Sequence, residues 1–461
     1  MHPMSPFLVR RSALSLLFLL CATFVAFAQS PERLKEEQPT GPDDQRATQT
    51  IFNRADLSRL VIVGDSLSAG FQNGSLLDVQ QPNGYASLVA RQARVNLSLP
   101  LVGAPGIPNV LQLISIGPPP VVQPVPGVSP GRTNPLIQPR NLAVPGARVQ
   151  DVLTTRPNFP IDSITDIVLG FPDLLGGASR SQIELAEALN PSTVFLWIGN
   201  NDALGAATGA DPALLTPQAQ FEASYRQVID RLAATNAKLV VANIPNVTVI
   251  PFLTRAEEVA QIIGIPLQAI GPLLGIAPGD FVTPGAFALI PQILANPALG
   301  PLPGNVVLTA SEAQTIQNAV NNYNRFIAAQ VQAKRAALVD VNGVLNRIDR
   351  NGLFVGFRTL TTDFLGGLFS LDGVHPTNTG YAVIANEFIK ALALRYFTLV
   401  PPVNVVRVAL DDPLVLRPPF LPRAGTGRSA YQFMRPETTD AMRSIFTPDA
   451  PTGDSKPENE R

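Results

Sequence analysis

Thr193–Ile198 reads TVFLWI, five apolar residues in a row after a threonine. A run this short and this uniformly apolar fits a strand buried on both faces. Three further stretches have the same character: RLVIVG at Arg59–Gly64, KLVVANIP from Lys238, and AALVDV ending at Val341. Helical patterns separate them. One covers Gly84–Ala93. A second opens at Thr216-Pro217 by cap and N1 proline and runs to about Thr235. A third follows the capping box Thr309-x-x-Glu312, with Ile316, Val320, Tyr323 and Ile327 on one face. A last one starts at Thr377 and continues through Leu392. Strands without a polar face need cover above and below, and alternating helices supply it. The expected fold is α/β, a mostly parallel sheet between two helical layers.

Two segments interrupt the alternation. Residues 100–139 are rich in Pro and Gly and carry one charge, Arg132. The second, about 255–308, is apolar, and from 259 to 311 its only charge is Asp280. Both are too long and too apolar for ordinary loops. The second reads either as a small helical subdomain packed on the sheet or as an apolar cap beside an active site, favouring acyl chains.

The ends differ from the middle. Arg10 and Arg11, the apolar stretch ALSLLFLLCATFVAF and Ala26-Phe27-Ala28 together fit an export signal over residues 1–28, cleaved before Gln29. Leu20 before Cys21 argues against a lipid anchor. Residues 29–55 read as a polar, flexible leader, 56–400 as the folded domain, and 401–461 as a Pro-rich disordered tail. An exported, periplasmic or extracellular location is expected, with no stable membrane span in the mature chain. The formal net charge of -1 offers no basic field for nucleic acid. Cleavage removes both His2 and Cys21, leaving His375 as the single histidine. A Cys/His zinc site is then excluded by arithmetic.

His375 lies in SLDGVHPTNTGY, three residues after Asp372. It can be a plain surface histidine. Alternatively, a carboxylate at that spacing can fix one ring nitrogen and leave the other to act as a base. Such a base activates a serine. Ser66 follows the strand at Arg59–Gly64, with Ala69, Gly70 and Gly74 leaving room around it. The same turn can also be a simple cap built by Asp65 and Ser66. Oxyanion donors have two candidate sources: Gly146 in NLAVPGARVQ, and the asparagines that end the strand in FLWIGNNDAL. Each is also compatible with an ordinary turn. One competitor exists. Gly127-Val128-Ser129-Pro130-Gly131 fits G-x-S-x-G, but that motif must join a strand to a helix, and the flanking prolines oppose this.

Taken together, Gly64-Asp65-Ser66-Leu67, Gly146, Gly199-x-Asn201-Asp202 and Asp372-x-x-His375-Pro376 resemble the four blocks of the SGNH, or GDSL, hydrolase family, in the family's order. The resemblance spans roughly residues 57–395. It implies a flavodoxin-like three-layer α/β/α fold and ester or thioester hydrolysis without metal or cofactor. It also implies roles: Ser66 as nucleophile, His375 as base and acid, Asp372 as its orienting group, and Ser66, Gly146 and Asn201 as the oxyanion hole. The substrate class implied is a small-molecule or lipid ester. A carbohydrate O-acetyl esterase, or a secreted binding protein that keeps the fold without activity, are the alternatives.

Overall fold

A computed structural model describes residues 54–115, 121–356 and 358–415. The expected leader up to residue 53, with the export signal, and the tail from 416 onward lie outside the described residues.

The four apolar runs form one parallel sheet. Its strands are β1 (Leu60–Gly64), β2 (Thr193–Trp197), β3 (Lys238–Ala242) and β4 (Ala337–Val339), adjacent in that order. Residues 140–144 run along the free edge of β1. Ile62 donates to Arg140 O at 2.9 Å, Leu142 to Ile62 O at 3.0 Å, and Val144 to Gly64 O at 3.1 Å. Counting this segment, the second in the chain is outermost and the first lies inside it, which is the flavodoxin-like order. In such sheets the chain reverses its direction of build-up at β1, and ligands bind beyond the carboxyl ends of the strands there.

Among the described residues the helices used below are α1 (Ser66–Ala69), α2 (Tyr85–Gln92), α3 (Val149–Thr154), α4 (Gln182–Ala188), α5 (Asn201–Thr208), α6 (Gln218–Ala234), α7 (Ala310–Ala333), α8 (Val341–Asn351), α9 (Asn378–Tyr396) and α10 (Val405–Asp411). α2 and α9 pack together on one face, while α3, α4, α6 and α7 cover the other. Side chains two apart on a strand share a face. Phe195 and Trp197 of β2 accordingly both meet Phe388 of α9, with ring centroids 5.1 and 6.3 Å away, and Tyr85 of α2 stacks on Phe388 at 4.3 Å. On the opposite face Phe221 of α6 stacks on Tyr323 of α7 at 4.0 Å. Each of these aromatic rings is fully buried, so truncating one costs roughly 3–5 kcal/mol.

The caps behave largely as the sequence indicates. Thr309 and Glu312 close a capping box on α7, and Thr377 accepts from Gly380 N at the start of α9. Pro217, rather than Thr216, is the N-cap of α6, and the Thr216 carbonyl accepts from the Tyr323 hydroxyl. The strand expected to reach Val341 stops at Val339. Asp340, exposed, caps the next helix by accepting from Gly343 N at 2.9 Å, and Val341 begins α8.

The expected boundary near Val400 is corrected: the domain continues at least to Val415. Asn386 exchanges two hydrogen bonds with Val403, at 3.0 and 2.7 Å. α10 packs on α9, and buried Asp412 accepts from both Thr379 N and Thr379 Oγ1 at 2.8 Å. Proline-rich composition marks this segment's irregular path, but its polar anchors hold it to the domain.

Both interruptions are folded. The first contains an antiparallel pair, Leu111–Ser115 with Val121–Pro124. Arg132 is its buried anchor, donating to the carbonyls of Val168, Phe171 and Ile137 and to Asn134 Oδ1. The second is a small helical subdomain with its own three-stranded sheet (Thr254–Arg255, Phe281–Val282, Val307–Leu308) and helices Ala256–Ile263, Leu267–Leu274 and Ala286–Ala295. Asp280 is buried there and accepts from Ala277 N and Ala310 N, each at 2.8 Å. Among the described residues no helix is long and apolar enough to cross a membrane.

Candidate active site

Ser66 is the first residue of α1, immediately beyond the carboxyl end of β1. Asn201 is the first residue of α5, four residues beyond β2. Gly146 follows the edge segment 140–144, with φ +82°, a conformation that favours glycine. Asp372 and His375 lie in the turn before α9. All but the last two thus leave neighbouring strands at one sheet edge.

Polar side chains join these turns. Asp65 accepts from Leu67 N at 3.1 Å through one oxygen and from Asn200 Nδ2 at 2.7 Å through the other. That ties the Ser66 turn to the Asn201 turn. Asn201 Nδ2 donates to Ala147 O at 2.9 Å, next to Gly146. The carbonyl fixes which way the amide points, and the second Nδ2 hydrogen remains for a ligand oxygen. Asp202 Oδ2 accepts from Val149 N at 3.0 Å and holds the Gly146 loop from its other side. The segment after Ser66 reaches the histidine: Phe71 N donates to Ser66 O at 3.1 Å, and the Phe71 ring lies 4.6 Å from the His375 ring.

The Asp372 carboxylate is fully buried and receives four donors. Oδ1 accepts from Val374 N at 2.9 Å and His375 N at 2.8 Å; Oδ2 accepts from His375 Nδ1 at 2.9 Å and Gly74 N at 2.7 Å. Burial alone raises such a carboxyl. The His375 charge, its ring N–H and the two backbone donors more than offset that, and hold Asp372 below its usual value. An ionised Asp372 on Nδ1 sets the tautomer, so any proton transfer by the ring would run through Nε2.

Two other carboxyls nearby move the opposite way. Burial pushes Asp65 up to about 7, against the Asn200 and Leu67 hydrogen bonds and the attraction of His375. Burial also raises Asp202 to about 6, against its bonds to Thr216 and Val149 N. Both are internal braces of the turns.

The structure therefore brings Ser66, Gly146 and Asn201 onto one rim through their immediate neighbours, and couples Asp372 directly to His375. Ser129 has no such surroundings. It lies in an irregular segment beyond the strand Val121–Pro124, no helix begins until Val149, and its hydroxyl donates to Gly103 O at 2.9 Å. Asn200, one of the two asparagines offered as oxyanion donors, instead braces Asp65, and two contributors were not singled out from sequence: Asn73 and the Gly74 N–H. The dipeptide Asn73-Gly74 carries the signal for a two-residue turn. What that turn touches is a long-range fact that no local pattern contains. Among the described residues no group of three or more His, Cys, Asp and Glu is arranged to hold a metal ion.

Residues 60–388 match the family described as GDSL-like Lipase/Acylhydrolase. The chain belongs to this family. The match covers most of the domain and includes all five candidate residues, Ser66, Gly146, Asn201, Asp372 and His375. A search of curated proteins finds no match. Among solved structures this GDSL-family chain is similar to LAE5, an alpha/beta hydrolase enzyme from the metagenome of Lake Arreo, Spain, at 14% identity over 74% of this chain and 97% of the other, with TM-score 0.35. It is also similar to a variant of Axe2, an acetyl xylan esterase from Geobacillus stearothermophilus, at 13% identity over 76% and 99%, TM-score 0.35. A third is the psychrotrophic esterase EstA from Pseudoalteromonas sp., at 13% identity over 73% and 96%, TM-score 0.32.

Proposed function

We propose that this GDSL-family protein is an exported serine esterase of lipase type, acting on carboxylic esters through Ser66, His375 and Asp372. The observation that carries the reading is the buried Asp372–His375 pair, joined by Phe71 to the turn that bears Ser66. In the proposed cycle Ser66 Oγ attacks the ester carbonyl carbon while His375 Nε2 takes its proton. The Ser66 and Gly146 backbone N–H groups and the Asn201 amide stabilise the oxyanion. As the carbon–oxygen bond to the alcohol breaks, His375 returns the proton to the departing alkoxide. Water then attacks the acyl-serine, giving its proton to His375. Collapse frees the acid, and the imidazolium reprotonates Ser66 Oγ. Asp372 stays ionised throughout, since it stabilises the imidazolium and does not take the proton. Export rests on residues 1–28 and is part of the proposal.

The second insertion supports acyl chains over charged substrates. From residue 259 to 311 its single charge, Asp280, is spent internally, and its base is tied to the histidine loop by Phe252 N donating to Gly373 O at 3.1 Å. One observation favours a carbohydrate ester instead. Asn243, Asn318, Asn321, Asn322, Asn324 and Asn342, with Arg325, line an open groove of about 690 Å³ where β3 ends, on the same sheet edge. Amides suit a polyhydroxylated alcohol. Hydrolysis of p-nitrophenyl esters of increasing chain length separates the two. Rates that rise to medium or long chains support the lipase-type reading. A sharp preference for acetyl rejects it.

A further inference from the structure

Four residues after the Ser66 helix, the chain makes a turn with an unusual set of contacts. Gln72 and Ser75 exchange backbone hydrogen bonds at 3.1 Å each. The two residues between them, Asn73 and Gly74, have φ of +54° and +69°. Both central residues at positive φ is the requirement of a type I′ turn, and Asn-Gly is its preferred filling. At Gly74 an added Cβ would be strained and would come within 3.3 Å of the Leu111 side chain.

The Asn73 carbonyl accepts from Leu111 N and Ser75 Oγ donates to Leu76 O, but the turn's other contacts beyond itself go to the histidine loop and to α9. Gly74 N donates to Asp372 Oδ2 at 2.7 Å, across 298 positions of sequence. Asn73 N donates to Ser370 Oγ at 2.8 Å, and Asn73 Oδ1 accepts from Leu371 N at 3.0 Å. Gln72 Nε2 donates to Asn378 Oδ1 at 2.9 Å, and the Phe71 carbonyl accepts from the Tyr381 hydroxyl at 2.6 Å. Of the four donors on Asp372, three belong to its own loop. The Gly74 N–H alone comes from elsewhere, and it lands on the oxygen that holds His375 Nδ1.

We infer that the Asn73-Gly74 turn is a positioning element for the Asp372–His375 pair, with Asn73 its key positioning residue; this rests on the ester-hydrolase reading above. The turn belongs to the same short segment as Ser66. It therefore sets the carboxylate relative to the nucleophile's own strand rather than only within the histidine loop. With one oxygen shared between the imidazole and Gly74, Asp372 cannot rotate without losing both. Asn73 grips the two residues before Asp372 and keeps Gly74 N in reach. Loss of that grip misplaces the imidazole, and displacements on the ångström scale cost up to roughly 10²-fold in rate.

Asn73→Gly keeps the turn's conformation and removes only the amide acceptor. Asn73→Asp keeps an acceptor and adds a negative charge beside the pair. Steady-state kinetics on a p-nitrophenyl ester across pH, with melting curves, compare both to the parent. Asn73→Gly should lower kcat roughly 10-fold or more with KM within about twofold, the sign of lost positioning rather than lost binding. Asn73→Asp should recover part of kcat and move the acid limb of its pH profile upward, since an anion nearby favours the protonated imidazole. In protein labelled with ¹⁵N-histidine, which contains only His2 and His375, the His375 Nδ1 proton should exchange with solvent faster in Asn73→Gly. Parental kcat, pH limb and exchange in Asn73→Gly overturn the inference. So does a fall in kcat matched by the fraction of protein unfolded at the assay temperature. A parent that hydrolyses no ester refutes the functional reading instead, and the exchange measurement still tests the turn.

Discussion

Asp65 offers the most quantitative test of how this site is built. Its carboxyl is fully buried beside the nucleophile turn, and burial lifts it from 3.8 to about 7 despite donors from Asn200 and Leu67. The folded protein holds this proton more tightly than the unfolded chain does. The contribution to stability is therefore complete below about pH 4, falls as pH rises toward about 7, and is level above that. At about 1.4 kcal/mol per pH unit, that interval corresponds to about 4 kcal/mol. Asp65→Asn keeps the Leu67 acceptor and removes the titration. Its new Nδ2 faces Asn200, whose Oδ1 has no hydrogen-bond partner among the described residues. Rotating that amide restores the bridge. Urea unfolding of parent and variant between pH 4 and pH 8 reads the effect. The variant should gain on the parent as pH rises, by an amount on the order of 4 kcal/mol. Stability curves that stay parallel across this range would refute the placement of Asp65 as a buried, proton-holding brace.

Three further predictions concern the rim and the chain's end. Asn201→Ala should lower kcat by roughly 10²–10³ if its amide serves the oxyanion, while Asn200→Ala, which strips a donor from Asp65, should act mainly on stability; kinetics and melts on both distinguish them. Asp372→Asn should cut kcat by roughly 10⁴ by losing control of the imidazole tautomer. Because Asp372 is held below its usual value, its stabilisation is present above the ordinary carboxylate range and lost as pH falls through the folded value, and this acid-range dependence should vanish in the variant. Asp412→Ala should cost roughly 1–3 kcal/mol in thermal or denaturant unfolding, because Thr379 N and Leu414 N lose their buried acceptor, with kcat/KM unchanged where the protein is folded.

The sheet was legible because TVFLWI and its three companions leave no polar face, which only a doubly covered strand tolerates. α7 was legible down to its capping box. The edge segment 140–144 was not, since RNLAV has neither length nor alternation and is held by backbone bonds to Ile62 and Gly64. α10 hid inside proline-rich sequence because its place is fixed by Asp412 and Val403 reaching back to α9. The same division holds at the site. Ser66, Asn201 and the Asp372/His375 pair have local signatures, a strand end or a three-residue spacing. Asp65 reads only as a cap and Asn73 shows no role at the site, because their significance lies in partners more than a hundred residues away. Local pattern reveals which residues can do chemistry. The braces that aim them are visible only once the chain is folded.

The central claim is that Ser66 is a nucleophile activated by His375. A fluorophosphonate probe applied to the folded protein, followed by digestion and peptide mapping, tests it directly. The label should fall on the peptide containing Ser66, vanish in Ser66→Ala, and form far more slowly in His375→Ala. Labelling at Ser129 or any other serine, or equal labelling with and without the imidazole, would contradict it.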